Sequence, residues 1–248
     1  MNTEVERDIA ALRSWIEGCP KGGMVFFGGA GVSTESGIPD FRSADGLYSQ
    51  KFDFPPETMV SRSFFDSHTS EFFDFYCERM IALDAKPNQA HVKLAELEKA
   101  GTLSSVVTQN IDGLHQAAGS EHVWELHGSV HRNHCMSCGK FHDVHELLEA
   151  RAASGDGIPR CSCGGVVKPD VVLYEEPLDE NVLQGAIADI MRADLLLIAG
   201  TSLVVQPAAS LVRCFRGKHL AIVNRSSTPA DSIADIVIQA SIGEVMDF

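Results

Sequence analysis

Four short apolar runs constrain this sequence most: Met24-Val25-Phe26-Phe27, Leu195-Leu196-Leu197-Ile198-Ala199, Leu220-Ala221-Ile222-Val223 and Ile236-Val237-Ile238, with Ser104-Ser105-Val106-Val107 as a further strand of mixed composition. They do not alternate with polar residues, so they read as strands buried on both faces. Helical spacing fills much of the chain between them. Val5, Ile9, Leu12 and Ile16 mark a helix over 4–17, and Ala90, Leu94, Ala95 and Leu97 mark another over 89–100. Further helices are expected over 179–192 and 207–215, the second with Pro207 near its start and Gly217 past its end. The alternation predicts an α/β fold, a doubly wound parallel sheet covered by helices.

In such sheets ligands sit outside the carboxyl ends of the strands. Here those ends are small or polar: Gly28-Gly29-Ala30-Gly31-Val32-Ser33-Thr34, Gln109-Asn110, Gly200-Thr201-Ser202 and Asn224-Arg225. Glycines let backbone approach a ligand with no Cβ in the way. Ser33 and Thr34 stand where a helix, and with it a phosphate site, would begin. The dinucleotide fingerprint G-x-G-x-x-G is incomplete, because Thr34 occupies the third glycine position. That disfavours a redox dehydrogenase.

At 248 residues the chain has room for one large domain with a smaller lobe. Its net charge of −14 argues against nucleic-acid binding, which needs cations against phosphate. No apolar run has the length of a membrane span. The acidic start, Met1 to Asp8, has neither the basic nor the apolar region of a signal peptide, and a cytoplasmic protein is expected. The aromatic stretch Phe64, Phe65, Phe72, Phe73, Phe75 and Tyr76 reads as a helical region that is core or a lid over a cleft.

Four of the seven cysteines cluster as Cys135-x-x-Cys138 and Cys161-x-Cys163, with 22 residues between the pairs. Four thiolates with no open position suit a structural zinc ion. The second pair is tighter than the common knuckle. His131, His134, His142 and His145 lie nearby, so a histidine in place of one thiolate stays open. A loop-rich insertion over about 131–167 needs such a staple, having little core of its own.

The motifs Gly29-Ala30-Gly31-Val32-Ser33, Gly37-Ile38-Pro39-Asp40-Phe41-Arg42, Thr108-Gln109-Asn110-Ile111-Asp112, Leu126-His127-Gly128, the four cysteines, Gly200-Thr201-Ser202 and Asn224 occur in one order. From about residue 15 onward the chain closely resembles the sirtuins, the NAD-dependent protein deacylases, of the bacterial kind. The resemblance implies a Rossmann-like NAD-binding lobe (about 1–45, 85–130 and 168–248) and a small helical and zinc-bearing lobe (about 46–84 and 131–167). An acyl-lysine peptide would lie between them. Ala30, Gly31, Ser33 and Thr34 would meet the NAD phosphates and ribose. Phe41 and Arg42 would sit over the nicotinamide ribose and pyrophosphate. Ile111 and Asp112 would hold the carboxamide, Gln109 and Asn110 the ribose. Thr201, Ser202, Asn224, Arg225 and Ile242 would line the adenosine end, and Gly29, Asp40 and Gly200 would complete the set. Val171, Val172 and Leu173 would pair with the peptide as an added strand. His127 would act as general base on a ribose hydroxyl, with Asn110 and Asp112 orienting groups around it.

By the same resemblance the reaction is NAD-dependent lysine deacetylation, with nicotinamide released and the acetyl group passed to ADP-ribose. Protein ADP-ribosylation and a non-catalytic NAD-sensing module that binds acylated tails are the alternatives. Tyr76 and Arg79 match a pair that marks family members removing acidic acyl groups such as succinyl, and core packing explains them equally well. Two departures stand out. Gly28 replaces a common threonine, and Glu175 replaces a common glycine in Tyr174-Glu175-Glu176.

Overall fold

The computed structural model describes residues 3–41, 46, 52 and 54–248. Its centre is a six-stranded sheet of β1 (Met24–Gly28), β2 (Leu103–Thr108), β3 (Val123–Glu125), β7 (Leu195–Ala199), β8 (His219–Val223) and β9 (Ile236–Ile238). The order is β3-β2-β1-β7-β8-β9, and every pairing is parallel. The chain thus winds outward from β1 in one direction and from β7 in the other. The crevice between the ends of β1 and β7 is the topological switch point, where a doubly wound sheet binds its ligand.

Burial explains the apolar runs. All five residues of β1 and all five of β7 are buried. Met24 and Phe26 pack on one face with helices α1 (Thr3–Glu17), α5 (Gln89–Lys99) and α9 (Ile242–Val245). Val25 and Phe27 pack on the other with α8 (Glu180–Arg192) and the turn of 3-10 helix Ala208–Cys214. Neighbouring residues of one strand therefore serve two cores.

A second sheet, antiparallel, joins β4 (Gly128–Cys135), β5 (Phe141–His142) and β6 (Val167–Val171) in the order β5-β4-β6. Helix α7 (Val144–Ala153) follows β5, started by an Asp143/Glu146 capping box. The aromatic stretch forms α3 (Arg62–Ser67) and α4 (Thr69–Arg79), after the short α2 (Pro56–Met59). Phe64, Phe65, Phe72, Phe73, Phe75 and Tyr76 share a third core with Val130, Cys135, Leu147, Cys161 and Val167. The aromatics are core, and that core is shared with the cysteine segment.

Several elements differ from expectation. No α-helix starts at Ser33; two single 3-10 turns, Ala30–Val32 and Thr34–Ser36, follow β1. The helix expected over 207–215 is a 3-10 helix, Ala208–Cys214, preceded by a cis Gln206–Pro207 bond. Of Val171, Val172 and Leu173 only Val171 lies in a strand, at the end of β6, which pairs with β4. β3, a short edge strand, and the small helix α6 (Leu114–Ala118) were not apparent from apolar periodicity. Among the described residues no helix is long and apolar enough to cross a membrane.

Candidate functional site

The loop after β1 and the loop after β7 touch through backbone. Gly31 N–H donates to the Gly200 carbonyl at 2.8 Å, and Gly29 N–H to that of Ala199 at 3.3 Å. A Cβ on Gly31 would lie 2.8 Å from Gly200 Cα and 2.9 Å from its oxygen. Only glycine permits that approach. Helix α5 braces the same loop from behind, where Asn88 Nδ2 donates to the Val32 carbonyl at 2.8 Å and its Oδ1 accepts from Ala90 N–H.

The end of β2 supplies the polar centre. Asn110 Nδ2 donates to Ser33 Oγ at 3.0 Å, and Ser33 Oγ donates to Asp112 Oδ2 at 2.7 Å. Asp112 Oδ1 accepts the Leu114 N–H at 2.9 Å. Gln109 Nε2 donates to Thr201 Oγ1 at 2.9 Å, joining β2 to the β7 loop. His131, absent from the expected site, donates from Nε2 to the Asp112 carbonyl at 3.0 Å. Its ring lies 2.7 Å from where a Gly113 Cβ would stand, and Gly113 has φ +73°, so two requirements fix glycine there.

His127 stands at the turn between β3 and β4. Its Nδ1 lies 3.0 Å from the Gln109 carbonyl, which only accepts, so in the neutral ring Nδ1 carries the hydrogen and Nε2 keeps its lone pair. Burial lowers the pKa of His127 below its ordinary value, and the Gln109 hydrogen bond opposes part of that shift. The ring is therefore neutral at pH 7, with a free lone pair on the atom a general base would use.

Two clefts meet at this histidine. The larger, about 680 Å³, is lined by Gly29, Ala30, Gly31, Thr34, Asp40, Phe41, Gln109, Asn110, His127, Gly200, Thr201, Ser202, Asn224, Arg225 and Ile242. The smaller, about 190 Å³, is lined by Ser33, Ile111, Asp112, Arg79, Val171, Val172 and Leu173 among others. Ala30, Phe41, Gln109, Asn110 and His127 line both. Ser226, Ser227 and Ser241 also line the larger cleft and were missed; the first two directly follow Asn224-Arg225, so extending the strand-end rule by two residues would reach them. Val60, Met80, Gln206 and Pro207 line the smaller one without any sequence signal. Arg42 lies outside the described residues. Tyr76 faces away from both clefts: it is fully buried, stacked on Phe72, and burial raises the pKa of its phenol. Arg79 does line the smaller cleft, so the expected Tyr76–Arg79 pair is not brought together there.

The four cysteine sulfurs lie within 4.8 Å of one another. Cys135 and Cys163 Sγ are 3.5 Å apart, and Cys138 and Cys161 Sγ 3.8 Å. A tetrahedron with arms of about 2.3 Å has an edge of about 3.8 Å, so the set fits zinc. Among the described residues this group contains no histidine. The tight second pair works because Gly164 takes φ +87° and Gly165 leaves space 2.8 Å from Cys135 Sγ.

A family model described as the Sir2 family matches residues 29–207. The chain belongs to the Sir2 family. Among Sir2 relatives, it is 60% identical over 227 residues to a Clostridium perfringens protein named NAD-dependent protein deacetylase, covering 90% of this chain and 91% of that one. It is 53% identical to a Cutibacterium acnes protein of the same name, covering 95% and 94%. A solved Sir2 with p53 peptide and NAD+ matches with TM-score 0.84 and 39% identity, over 96% of this chain and 95% of that one. A Sir2 bound to acetylated peptide matches with TM-score 0.84 and 38% identity over the same shares. The six-stranded parallel sheet is the Rossmann-like sheet of this family, and the cysteine tetrad is positioned to hold one zinc ion.

Proposed function

We propose that the chain is an NAD-dependent protein-lysine deacetylase that releases nicotinamide and passes the acetyl group to ADP-ribose, acting in the cytoplasm. The observation that carries this reading is His127 at the junction of two clefts, neutral and with Nε2 open. A dinucleotide fits the larger cleft in size and lining: glycines admit a pyrophosphate, and Asn224, Arg225 and Ser202 offer polar groups. NAD, when bound, supplies a ribose carbon that carries nicotinamide as its leaving group. The smaller cleft, walled by Val171, Val172 and Leu173, takes the acetyl-lysine side chain, and the peptide backbone runs along that wall.

In this assignment Ile111 and Asp112 hold the carboxamide, and Ser33 fixes the Asp112 carboxylate. Gln109 and Asn110 set the ribose. Gly29, Ala30, Gly31 and Thr34 meet the phosphates and ribose, Asp40 and Phe41 lie on the nicotinamide side, and Gly200, Thr201, Ser202, Asn224, Arg225 and Ile242 enclose the adenosine half. His127 Nε2 takes a proton from a ribose hydroxyl while Nδ1 stays bound to the Gln109 carbonyl, so the ring keeps its orientation through the transfer. Phe41, on both clefts, keeps water from the reacting sugar. The zinc ion, held by Cys135, Cys138, Cys161 and Cys163, stabilises the lobe that carries α3 and α4 and takes no part in the chemistry.

Mass spectrometry of acetyl-lysine and succinyl-lysine peptides, each incubated with and without NAD, tests this. NAD-dependent loss of 42 Da (about one acetyl group less a proton), with little change in the succinyl peptide, is expected because Tyr76 does not reach the cleft. An ADP-ribose adduct on protein, with the acetyl group retained, would instead support ADP-ribosyl transfer.

A further inference from the structure

Glu175 has φ +77°, a conformation that residues with a Cβ seldom adopt. It is the third residue of a turn in which Glu176 N–H donates to the Leu173 carbonyl at 3.0 Å. A turn with positive φ at that position alone is the type II arrangement, which favours glycine. The strain has a visible counterpart. Glu175 Oε2 accepts the Ser63 N–H at 2.8 Å, and Oε1 accepts the Ser63 hydroxyl at 2.9 Å. Ser63 is in the first turn of α3, where backbone N–H groups have no acceptor within the helix.

The neighbouring backbone follows the same path. Tyr174 N–H donates to the Val60 carbonyl, and Arg62 N–H donates to the Tyr174 carbonyl, each at 3.0 Å. Glu176 accepts from Arg62 Nη1 at 3.2 Å, from Lys168 Nζ at 3.1 Å and from Leu173 N–H at 2.9 Å. Leu173, Tyr174 and Val60 line the smaller cleft. Glycine would satisfy the turn and leave this wall tied to α3 by fewer bonds.

We infer that Glu175 is a positioning residue for the acyl-peptide groove: its carboxylate, held by Ser63, fixes the 173–176 turn against α3 and so sets the wall along which the peptide lies. This rests on the deacetylase reading above. Glu175 acts through the backbone of Leu173 and Tyr174.

The test is steady-state kinetics of Glu175→Gly, Ser63→Ala and the double variant, with peptide and NAD varied separately, and with thermal unfolding alongside. Glu175→Gly relieves the turn, so its melting temperature stays within a few degrees of the unmodified protein. Its KM for acetyl-lysine peptide rises about fivefold while its KM for NAD holds. Ser63→Ala gives a smaller rise, and the double variant is no worse than Glu175→Gly, because both changes break one interaction. A peptide KM unchanged in Glu175→Gly, or a KM for NAD that rises in parallel, would overturn the inference. Failure of the unmodified protein to turn over acetyl peptide would instead overturn the deacetylase reading, and this inference with it.

Discussion

Ser33 Oγ donates to Asp112 Oδ2 across 2.7 Å and so joins the loop after β1 to the loop after β2. The same oxygen accepts Asn110 Nδ2, so one buried hydroxyl orients both side chains assigned to the nicotinamide end. Ser33→Ala removes a donor and an acceptor at once. The expected result is a fall in kcat/KM for NAD of about tenfold to a hundredfold and a loss of about 1–3 kcal/mol in urea unfolding. Kinetics indistinguishable from the unmodified protein would show that Ser33 does not orient the pair.

Gly31→Ala sets a Cβ against the backbone of Gly200, which cannot move aside as a flexible side chain would. It should cost about 1–3 kcal/mol and weaken NAD binding measured by calorimetry. Gly155→Ala is the matched control. It has no neighbour within 4 Å and no positive φ, so it should be neutral or stabilise by about 0.4–1 kcal/mol.

These two loops show how the site could be read in advance. Short, unbroken apolar runs announce strands buried on both faces, and the polar residues that stop them fall at one edge because the sheet is parallel. Most of the assigned NAD-contacting residues thus line one cleft. What sequence patterns missed depends on partners distant along the chain. β3 is a three-residue edge strand defined by pairing with β2. His131 reaches the Asp112 carbonyl only because β4 runs beside residues 111–113, where Val130 N–H also donates to the Ile111 carbonyl. Tyr76 keeps helical spacing with Arg79, yet its ring turns into the aromatic core while Arg79 faces the cleft.

Acid should unfold the protein through a buried histidine pair. The His91 and His115 rings lie 4.7 Å apart, centre to centre, and both are buried. Burial lowers His91 to about 4, against an upward pull from Asp112 and Glu35; burial, with His91 beside it, lowers His115 to about 3. Their folded values lie below the ordinary 6.5, so the unfolded chain binds more protons. Their contribution is complete above pH 6.5 and is lost as pH falls toward 4 and then 3. Urea unfolding measured from pH 7.5 to 4 should show stability falling with acid. His115→Leu should flatten that slope, and an equal slope in the variant would exclude His115 as its source.

Metal content separates the cysteines. Elemental analysis should give one zinc per chain, lost in Cys163→Ser and retained in Cys19→Ser, since Cys19 is not part of the tetrad. Because Cys135 and Cys161 share a core with Phe65, Phe72 and Tyr76, zinc removal should also lower the thermal midpoint by several degrees. Zinc retained in Cys163→Ser would mean that this thiolate is dispensable for the shell.

The most direct test of the deacetylase assignment counts products. Acetyl-lysine peptide, NAD and the protein are incubated from pH 5 to 8, and nicotinamide and freed lysine are quantified for the unmodified chain and for His127→Ala. The account predicts one nicotinamide per lysine freed, an acid limb with its midpoint below pH 6.5 because burial lowers His127, and a loss of about a hundredfold or more in His127→Ala. Lysine freed without nicotinamide, or deacetylation undiminished in His127→Ala, would contradict it.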